Sequence, residues 1–467
     1  MSKDEIITIS KQTINGKIGS LLDALIEKGY KGSFCSGRGT CGKCKVRFLE
    51  NASIPTQNDR NFFSPDQLRE GYRLACGVKL NRDCKIQIHF ESQERYEILA
   101  EQTLVKSPNN RGIFEKEESY YVAVDIGTTT IVMQLVGSNL GVADETYRIF
   151  NSQRIYGTDV IARMQASLNG KREELKKLIE FELEKGIRKL TIKNHISPKG
   201  IFISGNTTMG HLLMGYKMDS LASFPFKPVN INEIEIVLAG IPAVIMPGIS
   251  AFVGGDMVSG WMACGLHKTR NLHFLIDLGT NGEMMIGNKD RIMCTATAAG
   301  PAFEGGPTAH VPGTDMIDLV AQMLEAGIID ETGLLHDTYF DTGYRIQGVL
   351  ITQKDIRDLQ KAKAAVFAGM GILVEQYGTT WDMIQGVFLA GGFGFGLDVT
   401  KANRIGLFPD EIKDKVISVG NASLAGAIIY GREKQDLTEI IKTASEINLA
   451  AVESFTEAYI SALNFPK

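Results

Sequence analysis

Three landmarks recur in one order along the chain, and this internal repeat restricts the fold more than any single motif does. A strand ending in an acidic turn comes first, AVDIGTTT at 123–130 and LIDLGTNG at 275–282. A strand running into a glycine turn follows, IFISGNTTM at 201–209 and VFLAGGFGF at 387–395. A strand, a turn and a small-residue helix come last, VIMPGISAFVGGDMVSG at 244–260 and VISVGNASLAGAIIYG at 416–431. The offsets between copies differ, so loop insertions separate them and the repeat is structural rather than tandem. Long helical stretches such as DVIARMQASLNGKREELKKLIEFELEKGIRKL interleave with the strands, which is α/β patterning. Two related halves, 120–265 and 266–467, are expected to face one another.

Residues 1–93 read differently. Short strand-like runs (EIITIS, CKVRFL, CKIQIHF), one helical stretch (IGSLLDALIEKG) and a glycine-rich loop make a small α+β unit. The stretch 94–119, with its Pro-Asn-Asn turn and charge run, is read as a linker. Five of the seven cysteines fall in the first 84 residues, a poor count for disulfides and a clustering that points to metal.

The segment FCSGRGTCGKC spaces Cys35, Cys41 and Cys44 by five and two residues, and RLACG supplies Cys76 after 31 more. An iron–sulfur cluster needs four thiolates converging from a loop that wraps it, and Gly37, Gly39 and Gly42 let backbone amides approach the sulfides. Five residues rather than four between the first two ligands resembles the adrenodoxin-type or bacterial [2Fe–2S] ferredoxins more than the plant type, over roughly the first 90 residues. A Cys₄ zinc site is the alternative, although zinc ribbons present two short-spaced pairs. Cys84, in DCKIQIHF, is read as a packed thiol, with replacement of Cys76 as its other role.

Each half opens with Asp-hydrophobic-Gly-Thr. The glycine lets backbone amides reach phosphate oxygens, the threonine adds a hydroxyl, and the aspartate can hold Mg²⁺ directly or through water. Two such turns heading two duplicated halves, with a glycine-rich AGGFGFG turn, resemble the acetate kinase, sugar kinase, heat-shock chaperone and actin superfamily. The expected fold is therefore an α+β ferredoxin-like (β-grasp) domain followed by a duplicated α/β actin-like ATPase. What the resemblance implies is ATP between the halves. Asp125 and Asp277 would orient Mg²⁺ and the attacking water. Gly127, Thr128, Thr129, Gly279, Thr280, Asn281 and Gly282 would grip phosphates, and Gly391, Gly392 and Gly394 would line the nucleoside. GGDMVSG and GNASLAGA look like paired connecting helices at a hinge. Glu304, in AAGPAFEGG, is a candidate for positioning water or an ordinary loop carboxylate.

The combination of these two parts, with SGNTTMGHLL, DLGTNGE and AAGPAFEGG, resembles the reductive activators of corrinoid-dependent enzymes. That resemblance implies ATP-dependent one-electron transfer from the cluster to a corrinoid protein of a methyltransferase system, restoring cob(II)alamin to cob(I)alamin. It also implies an upstream donor such as a ferredoxin or flavodoxin, and it leaves room for a homodimer. Rival readings are an ATP-driven donor to another enzyme, similar to 2-hydroxyacyl-CoA dehydratase activators, a small-molecule kinase with a regulatory cluster, and a non-enzymatic clamp that reports redox state.

Composition narrows the partners. With 50 Lys and Arg against 54 Asp and Glu, the chain lacks the basic excess of a nucleic-acid binder. The amino terminus MSKDEIITISKQTINGK has no signal-peptide core, and IVLAGIPAVIMPGISAFVGG is broken by prolines and glycines, so no membrane span is expected and the chain is read as cytoplasmic. Cys264 and Cys294 are read as buried inert thiols, and Trp261 and Trp381 as helical core. His211 is read as a packed helix histidine rather than a ligand, and His310 as a loop residue. Arg38 is either a tuning charge or a solvated one. The tail from Gln435 is expected to pack on the second half.

Overall fold

The computed structural model describes residues 5–9, 20–27, 44–79, 83–88, 119–137, 142–157, 159–194, 196–279, 281–300, 303, 313–391 and 396–466. It divides into two compact units, Met1–Tyr96 with Arg154–Thr158, and Glu97–Gln153 with Asp159–Lys467.

The first unit is built on four antiparallel strands, β1 (Glu5–Ile9), β2 (Lys45–Glu50), β3 (Tyr72–Leu74) and β4 (Cys84–Ile88), in the order β1-β4-β2-β3. Alternation decides its inner face: Cys84, Ile86 and Ile88 point inward from β4, and Val46 and Phe48 from β2. The helix Leu21–Glu27 adds Leu21, Leu22 and Leu25 to the same core. Each fully buried Leu or Ile contributes about 1.5–3 kcal/mol.

The second unit holds two six-stranded sheets. The first contains β5 (Tyr120–Ile126), β6 (Thr130–Gly137), β7 (Val142–Phe150), β8 (Ile201–Gly205), β9 (Ile234–Leu238) and β10 (Ile241–Ile245), ordered β7-β6-β5-β8-β10-β9. The second contains β11 (Leu272–Leu278), β12 (Gly282–Gly287), β13 (Ile292–Thr297), β16 (Ile384–Ala390), β17 (Val416–Gly420) and β18 (Ala444–Glu446), ordered β17-β16-β11-β12-β13-β18. A separate hairpin pairs β14 (Tyr344–Ile346) with β15 (Val349–Ile351). Five strands correspond in order and sense, β7-β6-β5-β8-β10 with β13-β12-β11-β16-β17. The repeat landmarks occupy equivalent places: the acidic turns end β5 and β11, the glycine turns end β8 and β16, and the small-residue helices follow β10 and β17.

Those two helices, Gly255–Ala263 and Ala422–Glu433, pack against each other and exchange sheets. The first follows the first-half sheet and bridges its β8 to β11 and β12 of the second; the second follows β17 and lies against β5 and β8. Tyr121 on β5 donates its hydroxyl to Ile428 O at 2.7 Å. A Cβ on Gly426 would stand 2.3 Å from Ser259 O, so only glycine permits the helices to approach this closely. The core between the halves is correspondingly shared, with Tyr121, Trp261, Leu275, Met285 and Ile428 in one cluster.

The long helical stretch of the first half is two helices, Val160–Ala166 and Arg172–Asn194, separated by a turn in which Gly170 has φ +87°. The apolar stretch with two prolines folds as the β9–β10 hairpin. No helix among the described residues is long and apolar enough to cross a membrane. Trp261 is fully buried, whereas Trp381 is half-buried in a 3₁₀ turn, Trp381–Met383, stacked on Phe274 at 6.3 Å. It caps the core edge because a connection, and not a helix, carries it. The tail packs on the second half, its helix Glu453–Ser461 lying against the helix Gln353–Tyr377.

Candidate functional site

Cys44 immediately precedes β2 and Cys76 follows β3 in the 3₁₀ turn Ala75–Gly77. Lys45 pairs with Leu74, and Ala75 N donates to Cys44 O at 2.8 Å, so both cysteines stand at the same end of one ladder. The turn is pinned from below by buried Asp59, whose Oδ1 accepts from Leu74 N at 2.7 Å while Oδ2 accepts from Thr56 N and Oγ1 at 2.6 and 2.7 Å. A pair of cysteines held at one end of a ladder is donor chemistry of the kind an iron–sulfur centre uses. Cys35, Cys41, Gly37, Arg38, Gly39 and Gly42 lie outside the described residues. Cys84 faces the core, where burial, then the charge of Asp83, pushes its thiol up to about 11, far from thiolate character at neutral pH. Cys294 is buried as expected while Cys264 is only half-buried; desolvation raises the Cys264 thiol to about 12 and Cys294 further still, so both stay protonated at neutral pH.

In the second unit, the first acidic turn is fixed from behind. Gly127 N closes it on Thr130 O at 2.9 Å. Asn151 donates its side chain to Gly127 O at 3.0 Å and its amide to Thr129 O at 2.9 Å. Arg163, wholly buried, donates to Thr128 O, and Asn206 Nδ2 donates to Thr128 Oγ1 at 3.1 Å. Asn206 itself caps the helix Thr207–Met214 by accepting from Met209 N at 2.9 Å. The peptide planes of the turn are thereby set by side chains distant in sequence.

Asp125, at the end of β5, accepts at both oxygens from the second half: Asn421 Nδ2 at 2.9 Å and Ser423 Oγ at 2.7 Å. In the second acidic turn Gly279 N donates to Asn281 O at 2.9 Å. The antiparallel register places Glu283 opposite Asp277, and Gly282 opposite Leu278. Directly paired residues share a face of the sheet. Asp256, in the first turn of the helix Gly255–Ala263, accepts at Oδ1 from Met257 N at 2.8 Å and completes a group of four carboxylates.

Their electrostatics are coupled. Burial raises Asp125 above the usual carboxylate range, opposed by the bonds from Ser423 and Asn421. Burial, then Asp125, pushes Asp277 up to about 7. Burial, then Asp277, pushes Asp256 to about 7, and burial with Asp256 and Asp277 carries Glu283 well above its ordinary range. Asp125, Asp256 and Asp277 keep part of their surface open, while Glu283 is buried. Like charges held close together favour a cation. Among the described residues no three such side chains converge closely enough to chelate one ion directly. Proteins generally hold Mg²⁺ in that looser way, through one or two carboxylates, water and substrate phosphates, and the donor set here would fit it.

Gly391, the residue after β16, has φ +83°, and a Cβ there would lie 2.4 Å from Asp277 Oδ1. Gly391 therefore lies directly against the second acidic turn. Thr280, Glu304, His310, Gly392 and Gly394 lie outside the described residues. His211 is satisfied at both nitrogens: Nε2 accepts from Val229 N at 2.9 Å, which leaves Nδ1 to donate to Thr207 O at 2.8 Å. It is a packed residue. A surface recess of about 370 Å³ lined by Arg270, Asn271, Tyr377 and Gln385 contains none of the carboxylates.

Asp256, Glu283, Asn421 and Ser423 are the residues that sequence reasoning missed. Asp256, Asn421 and Ser423 stand inside GGDMVSG and GNASLAGA, read only as hinge helices. Glu283 had a signal, since a three-residue turn between Leu278 and Gly282 puts it across from Asp277.

Three regions match described families: residues 7–81 the 2Fe-2S iron-sulfur cluster binding domain, residues 120–269 the RACo middle region, and residues 271–311 and 307–467 the C-terminal domain of RACo, the ASKHA domain. The chain is 29% identical over 420 residues to the corrinoid activation enzyme RamQ of Eubacterium limosum, covering 74% of this chain and 70% of that protein. It is 24% identical over 289 residues to the [Co(II) methylated amine-specific corrinoid protein] reductase of Methanosarcina barkeri, covering 50% of this chain and 53% of that one. A solved structure of a reductive activator for corrinoid,iron-sulfur protein superposes with a TM-score of 0.67 at 25% identity, covering 98% of this chain and 96% of that chain.

Proposed function

Because this chain belongs to the family of reductive activators of corrinoid-dependent enzymes, we propose that it uses ATP to return a corrinoid protein of a methyltransferase system from cob(II)alamin to cob(I)alamin. The observation that carries this reading is the conjunction, in one chain, of the Cys44–Cys76 ladder end with paired acidic turns heading two duplicated sheets. A [2Fe–2S] centre held by Cys35, Cys41, Cys44 and Cys76 supplies one-electron chemistry. Asp125 and Asp277 orient Mg²⁺ and the attacking water, and Asp256 and Glu283 add negative charge that a divalent cation neutralises. Gly127, Thr128, Thr129, Gly279, Thr280, Asn281 and Gly282 hold phosphates, Gly391, Gly392 and Gly394 line the nucleoside, and Glu304 positions water.

The parts divide as a cluster domain at 1–93, a linker at 94–119 and ATPase halves at 120–265 and 266–467. The exchanged helices couple the halves, so nucleotide-driven closure alters the surface offered to the corrinoid protein. ATP shifts the reaction only by the difference in partner affinity between the two states. Equal affinity with and without nucleotide would remove that coupling and leave simple electron transfer. The setting is cytoplasmic, with a ferredoxin or flavodoxin as electron donor and a homodimer as the assembly.

The test mixes the anaerobically reduced protein, ATP and Mg²⁺ with a cob(II)alamin-bearing corrinoid protein and follows the visible spectrum. Cob(I)alamin forming only with ATP supports the reading. Its absence across several corrinoid proteins, with cluster and ATPase intact, sinks it.

A further inference from the structure

Asp125 and Asp277 occupy equivalent strand ends, but the opposite half presents different groups to them. The two exchanged helices begin alike: Gly254 and Asn421 are their N-caps, so Asp256 and Ser423 are each the second helical residue. At that position the first helix brings a carboxylate into the field of Asp277, whereas the second brings a hydroxyl to Asp125. With Asn421 Nδ2 on the other oxygen, Asp125 is gripped at both ends by donors from the second half. A carboxylate bonded at both oxygens has one rotamer and one set of free lone pairs.

The grip continues into the interior. Ser423 Oγ lies 2.9 Å from Ser204 Oγ, which lies 2.7 Å from Ser259 Oγ, which donates to Asp256 O at 2.9 Å. All three hydroxyls are buried. They join Asp125 to the end of β8 and to both exchanged helices, at the crossing where Gly426 meets Ser259.

We propose that Asn421 and Ser423 are positioning residues for ATP hydrolysis, aiming Asp125 from the start of the helix Ala422–Glu433. The inference rests on the reading of Asp125 as a nucleotide-site carboxylate. In the reaction, a water oxygen bonds to the γ-phosphorus, the bond to the β–γ bridging oxygen breaks, and ADP, phosphate and a proton are released. Losing either donor leaves one oxygen of Asp125 unheld, so the carboxylate loses its aim and hydrolysis slows.

Steady-state phosphate release by the full chain, with ATP varied at saturating Mg²⁺, tests this. Ser423→Ala should lower kcat about tenfold, the weight of one hydrogen bond to a charged group, with KM for ATP changed less than about twofold. Ser423→Thr, which restores the hydroxyl, should recover most of the loss. Asn421→Ser keeps a capping oxygen and removes the amide donor, so it should lower kcat likewise and supplies a second arm if Ser423→Ala does not fold. Asp125→Asn separates the two readings. If it is inactive while Ser423→Ala and Asn421→Ser keep full kcat, the positioning role is overturned and the nucleotide-site reading stands. An active Asp125→Asn overturns both, and a change confined to KM overturns the positioning role.

Discussion

Asp277 and Glu283 face one another across the β11–β12 ladder, next to the turn that begins at Gly279. Burial and mutual repulsion push Asp277 and Asp256 up to about 7 and Glu283 well above its usual range. An acid whose folded pKa exceeds its unfolded one binds its proton more tightly when folded. The stability it lends is complete below the unfolded value, about 4, and is lost as pH rises through about 7. Without nucleotide and Mg²⁺ the protein should melt at a lower temperature near about pH 8 than near about pH 5.5. Mg²⁺, which binds the ionised forms, should shrink the difference. Thermal melts over this range check it, and a melting point that climbs with pH without Mg²⁺ would contradict the electrostatics.

Gly391→Ala should damage the site more than the fold. The new Cβ meets Asp277 Oδ1 and sits at positive φ, so ATPase activity should fall at least about tenfold, with a stability loss of about 1–3 kcal/mol. Gly378, which ends the helix Gln353–Tyr377 at φ +78°, has open space around its Cβ position. Gly378→Ala should cost about 1 kcal/mol and leave ATPase activity intact. Equal ATPase losses in the two variants would refute the contact.

Cys76→Ser should abolish the cluster, and Cys84→Ser should keep it. The Cys84 thiol lies in the β-sheet core and is held protonated, so its loss should cost about 1 kcal/mol of stability without touching iron. Iron and sulfide per chain, with the visible spectrum, distinguish the two. Loss of iron in Cys84→Ser with retention in Cys76→Ser would exchange their roles.

Phe465→Ala should destabilise the second unit by about 3–5 kcal/mol, since its ring is buried in the core. The tail is also tied by Gln360 to Leu463 O at 2.9 Å, by buried Lys363 to Asn464 O, and by Arg404 to Pro466 O at 2.8 Å. Burial lowers Lys363 to about 8. Urea unfolding of the variant measures the effect; a midpoint equal to that of the parent would mean the tail is only draped on the surface.

The repeat was legible because each landmark is local: a strand, then a turn whose Gly, Asp or Thr declares itself within ten residues. Repeating three such signals in order was enough to anticipate matching strands, and β5, β8 and β10 do match β11, β16 and β17 in the sheets. The clamp on Asp125 was not legible. Asn421 and Ser423 reach it across 296 and 298 residues, and that contact exists only because a helix from one half sits on the other half's sheet. No window of sequence contains both partners. Trp381 shows the opposite failure, for its apolar neighbours suggested a helix where the chain forms only a 3₁₀ turn at the core edge.

The exchange of helices makes the two halves of the ATPase mutually dependent in folding. A chain cut between Cys264 and Arg270 would leave the first sheet without the helix that covers β5 and β8, and would leave the helix Gly255–Ala263 with no β11 to rest on. Each fragment would expose part of the shared core, so neither should fold alone, whereas the two co-expressed should complement one another. A duplication that began as two copies has become an object that can be inherited, expressed and altered only as a pair.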